Sequence, residues 1–344
     1  MANYTTANLV KAQIRLNGEF QSAETRFRTP AVFQLFNSTD SRRLFPNYDT
    51  LKTAVNRAIE ANYFLRSAAA LVTSGITHNH TGGQGDSGTL TPSWTPYSST
   101  WSMTLKQANA STYSWQELFN DNLMNKVADF AEGLDDVSSA YLFSNRTGVN
   151  SAAVKGTFNG TNDVYEITAA TYAEEAMSIT RVVMDINKYQ GGVYDVVCDS
   201  SSFTTFQKQA AQGAANSTNL SFQFMNVTFI HDPALAARAL ALSVSYNLGF
   251  WMAVPRGTVS VLPWIPTQNR QGVETKENKY GALINPVDGL QYGVHEYEAR
   301  ADGSAVNGQT QDVLTEYQLF IFLAFEKAPL STATATTIHA FALV

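Results

Sequence analysis

His78 and His80 are the closest histidine pair in the chain, and on a strand two imidazoles at this spacing project to the same side. Such a pair suits a metal, but a zinc-type site needs a third ligand and hydrogen-bonded support behind the ligands. Only Asp86 lies near, inside the Gly-rich stretch Thr81–Gly88. A solvated hairpin tip accounts for these residues more simply. Acyl-transfer chemistry would need an activated serine or cysteine. The chain has no Gly-x-Ser-x-Gly elbow, and its one cysteine, Cys198, sits in an apolar run where a thiol is inert. His231 and Asp232 precede Pro233 and read as a polar pair capping a turn. His295, among Val294, Glu296, Tyr297 and Glu298, reads as a strand residue. Gly82, Gly83 and Gly85 lack the preceding strand and following helix that a phosphate-binding loop requires. The acid pairs Asp135–Asp136 and Glu174–Glu175 fall on predicted helices, where adjacent side chains diverge, and read as solvated faces. No catalytic, cofactor-binding or metal-binding residue is therefore expected.

What remains to explain is a chain built for something other than catalysis. Charged residues make up 15% of its 344 residues, against a usual level of about 25%. Aromatic residues make up 12%. Interface cores are depleted in charge and enriched in aromatics, so this balance points to a surface largely hidden in subunit contacts. One cysteine excludes an intrachain disulfide and a cysteine-based metal cluster. That fits a reducing compartment or a particle stabilised by assembly. The first residues show no basic segment leading into an apolar run, and no stretch approaches 18 apolar residues, so neither a secretory signal nor a membrane span is expected. Asn-x-Ser/Thr sequons recur, as at Asn3, Asn37 and Asn159, and follow from the abundance of these residue types.

The net charge of −6 is unevenly placed. Residues 1–43 carry Lys11, Arg15, Arg26, Arg28, Arg42 and Arg43 against Glu19, Glu24 and Asp40. A basic arm on an acidic body suits a polyanion or a neighbour's acidic face, and it also suits an ordinary solvated tail.

One element is specified without ambiguity. From Ser114 to Arg146, apolar residues at Leu118, Leu123, Val127, Phe130, Leu134 and Val137 keep one helical stripe. Ser114 with Glu117 forms a capping box. Roughly 30 residues give a rod of about 45 Å, far longer than the average helix. Its apolar stripe is narrow, its other side polar at Asn122, Lys126, Asp129 and Asp136. Such a rod is a strut rather than a pocket wall.

Around it, residues 1–47 lack sustained periodicity and are predicted to form an extended arm. Asp49–Arg66 has helical spacing with Asp49 as N-cap. Ser67–Asn109 reads as a long projecting hairpin, with the alternating Trp101–Leu105 as its second strand. Residues 164–209 alternate helix and strand: Thr171–Lys188 helix, Val193–Cys198 strand and Phe203–Ala211 helix, followed by strand Val227–His231 and a short helix over Pro233–Leu240. Thereafter strands dominate: Ser245–Val254, Thr258–Ile265, Tyr280–Ile284, Leu290–Ala299 and the long Val313–Glu326, with Ile338–Val344 as a final edge strand.

This order resembles the major capsid proteins of tailed bacteriophages, the Hong Kong 97 fold that encapsulins also use. The resemblance rests on Trp101, Lys106-Gln107, the Ser114, Glu117 and Leu118 helix start, the Asn145–Gly148 stop, and Val196–Ser200 at the end of a central strand. It implies an α+β fold with arm (1–47), N-terminal helix and E-loop hairpin (48–112), peripheral domain (113–163 and 245–344) and α/β axial domain (164–244). It implies a structural, non-enzymatic shell subunit forming pentamers and hexamers around double-stranded DNA in a virion, made in a bacterial host cytoplasm. Separate scaffold, portal and decoration proteins are the implied partners, with no membrane and no cofactor. No lysine lies between Lys52 and Lys106, so the lysine–asparagine crosslink that some members make from the hairpin does not carry over. An encapsulin-like compartment is the alternative; a secreted adhesin or hydrolase is disfavoured by the missing signal.

Overall fold

A computed structural model describes residues 9–17, 30–45, 47–57, 60–64, 87–104, 114–146, 154–187, 193–211, 221–224, 227–300, 313–329 and 337–344. Along the chain come α1 (9–17), α2 (Ala31–Asn37), α3 (Tyr48–Lys52), β1 (Ala61–Phe64), β2 (Ser87–Leu90), β3 (Thr95–Thr104) and α4 (Trp115–Ser144). Next are β4 (Thr157–Asn159), β5 (Val164–Ile167), α5 (Ala169–Tyr172), α6 (Ala176–Ile186), β6 (Tyr194–Cys198), α7 (Ser200–Ala211), β7 (Ser221–Phe224) and β8 (Val227–His231). The chain closes with α8 (Leu235–Leu242), β9 (Phe250–Pro255), β10 (Val259–Trp264), α9 (Thr267–Gln271), β11 (Asn278–Ile284), β12 (Gln291–Arg300), β13 (Val313–Lys327) and β14 (His339–Leu343).

Helix α4 is the rod that the spacing demands. Ser114 accepts from the Glu117 amide while the Glu117 carboxylate accepts from the Ser114 amide, closing the capping box. Leu123, Val127, Phe130 and Leu134 are buried, whereas Asp129 and Asp136 are exposed. The buried face is wider than a single stripe, because Asn120, Ala131, Asp135, Ser138 and Ser139 are buried too. This corrects the expectation of a solvated Asp135. Its carboxylate accepts from the amides of Val32 (2.7 Å) and Phe33 (3.1 Å), satisfying free N–H groups at the start of α2.

Two larger sheets flank the rod. In the first, β13 pairs with β12 along 313–320 and with β10 along 322–327. Strand β3 pairs with β13 residues 314–323, so it occupies the opposite side of β13 from β12. The five strands thus run from β3 at one border to β11 at the other. Tyr317 of β13 stacks on Trp101 of β3 at 5.2 Å and meets Phe119 of α4 at 5.0 Å. Phe130 packs edge-on against Tyr292 of β12 at 5.2 Å. The second sheet runs β4–β5–β14–β9–β6–β8–β7 and mixes parallel and antiparallel pairs. Strands β9 and β14 are buried at every position, as strands covered on both faces must be, so β9 reads as an unbroken apolar run and β14 as one from Ala340 onward. Trp251 stacks on Phe341 there and donates to Thr180 Oγ1 of α6 at 3.0 Å.

Several expectations are overturned. The described parts of residues 1–47 are helical and packed: Leu9, Ala12 and Leu16 of α1 and Val32, Phe33 and Phe36 of α2 are buried. Helices this short carry too few turns to register a period. The helix expected over Asp49–Arg66 ends at Lys52, its N-cap is Asn47, and Ala61–Phe64 becomes a strand against Ser87–Leu90. That partner is also the second strand of the hairpin, in place of the expected Trp101–Leu105; Trp101–Thr104 is instead drawn into the main sheet as part of β3, and Leu105 lies outside the described residues. Alternation reveals that one face is buried, not which neighbour supplies the edge. The helix expected from Thr171 begins as α5, tightens through a 3-10 turn at Ala173–Glu175 and becomes regular at Ala176. Ser245–Leu248 lies in another 3-10 turn, so that strand starts at Phe250. Strand β14 is interior rather than an edge, lying between β5 and β9. With β9 and β14 in the sheet of residues 164–244, sheet membership crosses the expected boundary at 245.

Two measurements check these packings. Phe130→Ala is expected to cost ~3–5 kcal/mol in denaturant melts through lost transfer energy and an incompletely closed cavity. Asp129→Ala, whose exposed carboxylate pairs with Lys126 at 3.0 Å, is expected to change stability by no more than about 0.5 kcal/mol. Equal, small effects would place the apolar stripe at the surface.

The second concerns pH. Burial pushes Asp288 up to about 6, against hydrogen bonds donated by Tyr292 OH, the Leu290 amide and Asn285 Nδ2. Burial pushes His339 down to about 4. Asp288 therefore contributes its full stability below the ordinary carboxylate range and loses it as pH rises through about 6. His339 contributes fully above its ordinary range near 6.5 and loses stability as pH falls toward about 4. Each shift of roughly two units corresponds to about 3 kcal/mol, and the two slopes oppose one another. Asp288→Asn is thus expected to make stability fall more steeply on acidification from pH ~6.5 to ~4, and His339→Phe to make it rise. Parallel curves for both variants and the parent would contradict these environments.

Candidate assembly surfaces

The residues with chemical potential are used in structural roles. Cys198 is fully buried in β6, and burial pushes its thiol well above the ordinary range. His231 Nε2 lies 3.0 Å from Ser200 Oγ at the start of α7, an arrangement that invites comparison with a nucleophile–base pair. The two neighbouring carboxylates have other tasks. Asp199 accepts from the Ser202 amide at 2.7 Å and closes the first turn of α7. Asp232 accepts from the Ala234 amide at 3.0 Å and from Ser139 Oγ of α4, which caps the turn before α8 and ties it to the rod. His295 stacks on Tyr280 at 4.7 Å and pairs with Asn278 Oδ1 at 2.9 Å, on the outward face of the β11–β12 pair. A shallow depression of about 550 Å³ lies on that face, lined by Thr100, Ser102, Tyr297, Glu316 and Gln318. Among the described residues no group of three His, Cys, Asp or Glu side chains could hold a metal. His78, His80 and Asp86 lie outside the described residues. No described helix is long and apolar enough to cross a membrane.

The surfaces that remain are those of contact. At the hairpin base, Ala61 joins Phe45, Tyr48, Leu262 and Ala324 in a small separate cluster. The Arg57 guanidinium lies over the rings of Phe322 (4.5 Å) and Trp264 (5.2 Å). Trp94 donates to the Arg57 carbonyl at 2.8 Å, so the hairpin springs from a fixed footing. The Gly-rich tip, residues 81–86, lies outside the described residues.

At the sheet border formed by β11, α1 is fastened by one side chain. Gln13 donates to the Ile284 carbonyl at 2.7 Å and accepts from the Ile284 amide at 2.8 Å, serving the strand as a neighbouring peptide would. Leu9 packs where Gly281 leaves room, since a Cβ there would come within 2.3 Å of Leu9 Cδ1. The outer face of α1 then presents Val10 (55% exposed) and Ile14 (68%), beside Ile284 (54%). Further exposed aliphatics lie in groups on α6, with Val182 and Ile186, and around the end of α8, with Leu240, Val244 and Leu248; Val55, Val193 and Val273 are exposed singly. Exposed apolar groups set together in this way make these faces candidate contact surfaces. Sequence reasoning missed them, although Val10 with Ile14 and Val182 with Ile186 are four-residue repeats, each set on its helix beside a buried stripe.

The rod joins the contact surfaces of both sheets. Phe143 meets Phe250 of β9 at 5.8 Å, and Arg238 of α8 pairs with Asp136 at 2.5 Å and donates to Ser139 Oγ at 3.0 Å. The acidic side of α4 presents Asp121, Asp129, Glu132 and Asp136, with Lys126 on Asp129 and Arg238 of α8 on Asp136.

No protein-family model matches the chain, and no curated protein matches it by sequence. Solved structures do. The capsid of Ralstonia phage GP4 superposes with a TM-score of 0.52 over 92% of each chain at 10% identity. The Cyanophage Pam1 capsid asymmetric unit gives 0.49 at 12% identity, covering 87% of this chain and 88% of that one. A structure from Mycobacterium phage Che8 gives 0.48 at 9% identity, covering 87% and 89%. At these identities the likeness is one of fold, and the chain has the α+β fold of a phage capsid subunit.

Proposed function

We propose that the chain is the major subunit of a tailed-phage capsid, a structural protein rather than an enzyme. Pentamers and hexamers of it would close an icosahedral head around double-stranded DNA. The observation that carries this reading is the fold shared with the Ralstonia phage GP4 capsid along nearly the whole of both chains. The low charge, the exposed aliphatic faces and the rod that braces two sheets support it, because each suits a subunit whose surface is finished by its neighbours.

In this reading the hairpin that springs from the β1–β2 pair lies across an adjacent subunit. The sheet of β3, β10, β11, β12 and β13 with α4 forms the peripheral body, and the seven-stranded sheet with α6 and α7 points to the capsomer axis. Residues 1–47 present their basic groups to DNA or to a neighbour's acidic side. Contacts with phosphates would weaken steeply with salt, because each neutralised phosphate releases counterions. Scaffold, portal and decoration proteins are separate chains, and the subunit passes from a bacterial host's cytoplasm into the virion.

Sedimentation and negative-stain microscopy of the purified protein over rising concentration provide the test. Rings or shells are the expected outcome, and a monodisperse monomer at every protein and salt concentration would overturn the proposal. Particles isolated from the natural source are expected to contain double-stranded DNA. An enzyme cargo in place of a genome would make the shell an encapsulin-like compartment instead.

A further inference from the structure

Two surfaces at opposite borders of the β3–β11 sheet complement one another. At the β11 border stands a ridge: Val10 and Ile14 of α1 with Ile284, joined by the exposed Lys11. At the β3 border runs a groove between that strand and α4. One stretch of about 230 Å³ is lined by Tyr97, Phe130, Gly133, Leu134 and Val137, with Asp129 on its rim. It continues past Tyr97 and Val137 toward Tyr141 and Phe325 in a second stretch of about 340 Å³.

Gly133 is the most telling residue in it. Glycine disfavours the interior of a helix more than any residue except proline. A Cβ at position 133 would meet nothing within 4 Å, so packing within the subunit gives no reason for its absence. A glycine floor in an apolar groove leaves room for a close approach from outside the subunit. The bordering strand points the same way. Thr95–Thr104 contains no charged residue, and no described strand pairs with its outer edge. Edges left to face water are usually guarded by charge or proline, and the only such residue in β3 is Pro96 near its start. The groove rim carries Asp129, which pairs with Lys126, the exposed Glu132 is next to Gly133 in sequence, and the ridge carries Lys11.

We infer that copies of this chain join head to tail, the α1–Ile284 ridge of one copy seating in the α4–β3 groove of the next. The inference rests on the shell reading above and assigns one of its contacts. Because ridge and groove are different surfaces on opposite borders, the contact is heterologous. Repetition of such a contact makes a ring when the rotation between copies closes.

The test uses the full chain in three forms: parent, Ile14→Asp and Gly133→Gln. Ile14 is exposed, and glutamine favours a helix over glycine, so thermal melts are expected to match the parent for the first and to rise for the second. The concentration at which rings or shells appear is expected to rise at least ten-fold for each variant alone. An equimolar mixture of the two is expected to give a 1:1 dimer by sedimentation, because one intact ridge and one intact groove remain while further growth is blocked. Parent-like assembly by both folded variants would leave the groove to a different protein and overturn the contact while the shell reading stands. Loss of assembly without dimer in the mixture would overturn the head-to-tail arrangement. A parent that never assembles removes the contact and the shell reading together.

Discussion

The structure depends on one helix being buried along its length against two sheets that share no strand among the described residues. Near its start, α4 is held by aromatic contact: Phe119 against Tyr317, then Phe130 against Tyr292. Near its end the contacts turn polar, with Asp135 on the α2 amides and Ser139 on Asp232. The two halves work differently. Apolar burial is non-directional and tolerates small shifts, whereas a buried carboxylate must keep its donors or leave a charge unpaired at a cost of several kcal/mol. The first half therefore supplies adhesion and the second fixes position. Tyr141 and Phe36 meet at 5.7 Å, and both meet Phe325 of β13, so the same stretch also clamps α2 to the long strand.

How much of this could be seen in the sequence follows from the range of the forces involved. The rod, its cap and most strands after residue 190 were legible because burial on one face imposes a period on nearby residues. The packing of α1 and α2 was not, since α2 is capped by a carboxylate 103 positions away and α1 is tied down by Gln13 at a strand 271 positions away. The partner of the Thr95–Thr104 strand was equally hidden, because Trp101 and Met103 alternate with polar residues whichever neighbour lies beside them. The sequence holds none of the catalytic motifs sought, and the His231–Ser200 contact is a pairing that linear spacing does not reveal. The contact surfaces escaped for a further reason. An exposed valine and a buried one look identical in a sequence until the helix has been laid on its sheet.

Low charge takes on physical meaning once the fold is known. Much of the polar content closes turns and caps: Asn285, Asp288 and Tyr292 form one network, and Asn159, Glu166 and Tyr246 another. Neutral hydrogen-bonding groups satisfy the backbone without long-range repulsion between like charges. Many copies can then be brought together without the penalty that a highly charged subunit would meet at each contact.

The interior position of β14 sets a timetable. Its register couples Leu343 to Ile167 on one side and Ala342 to Phe250 on the other. At synthesis rates of about 5–20 residues per second, β5 is complete roughly 10–30 s before its partner is made. Until then the seven-stranded sheet is split at its middle, with β5 and β9 lacking the strand that joins them. A chain that has not yet reached β14 consequently holds this sheet as two separate parts, β4–β5 and β9–β6–β8–β7.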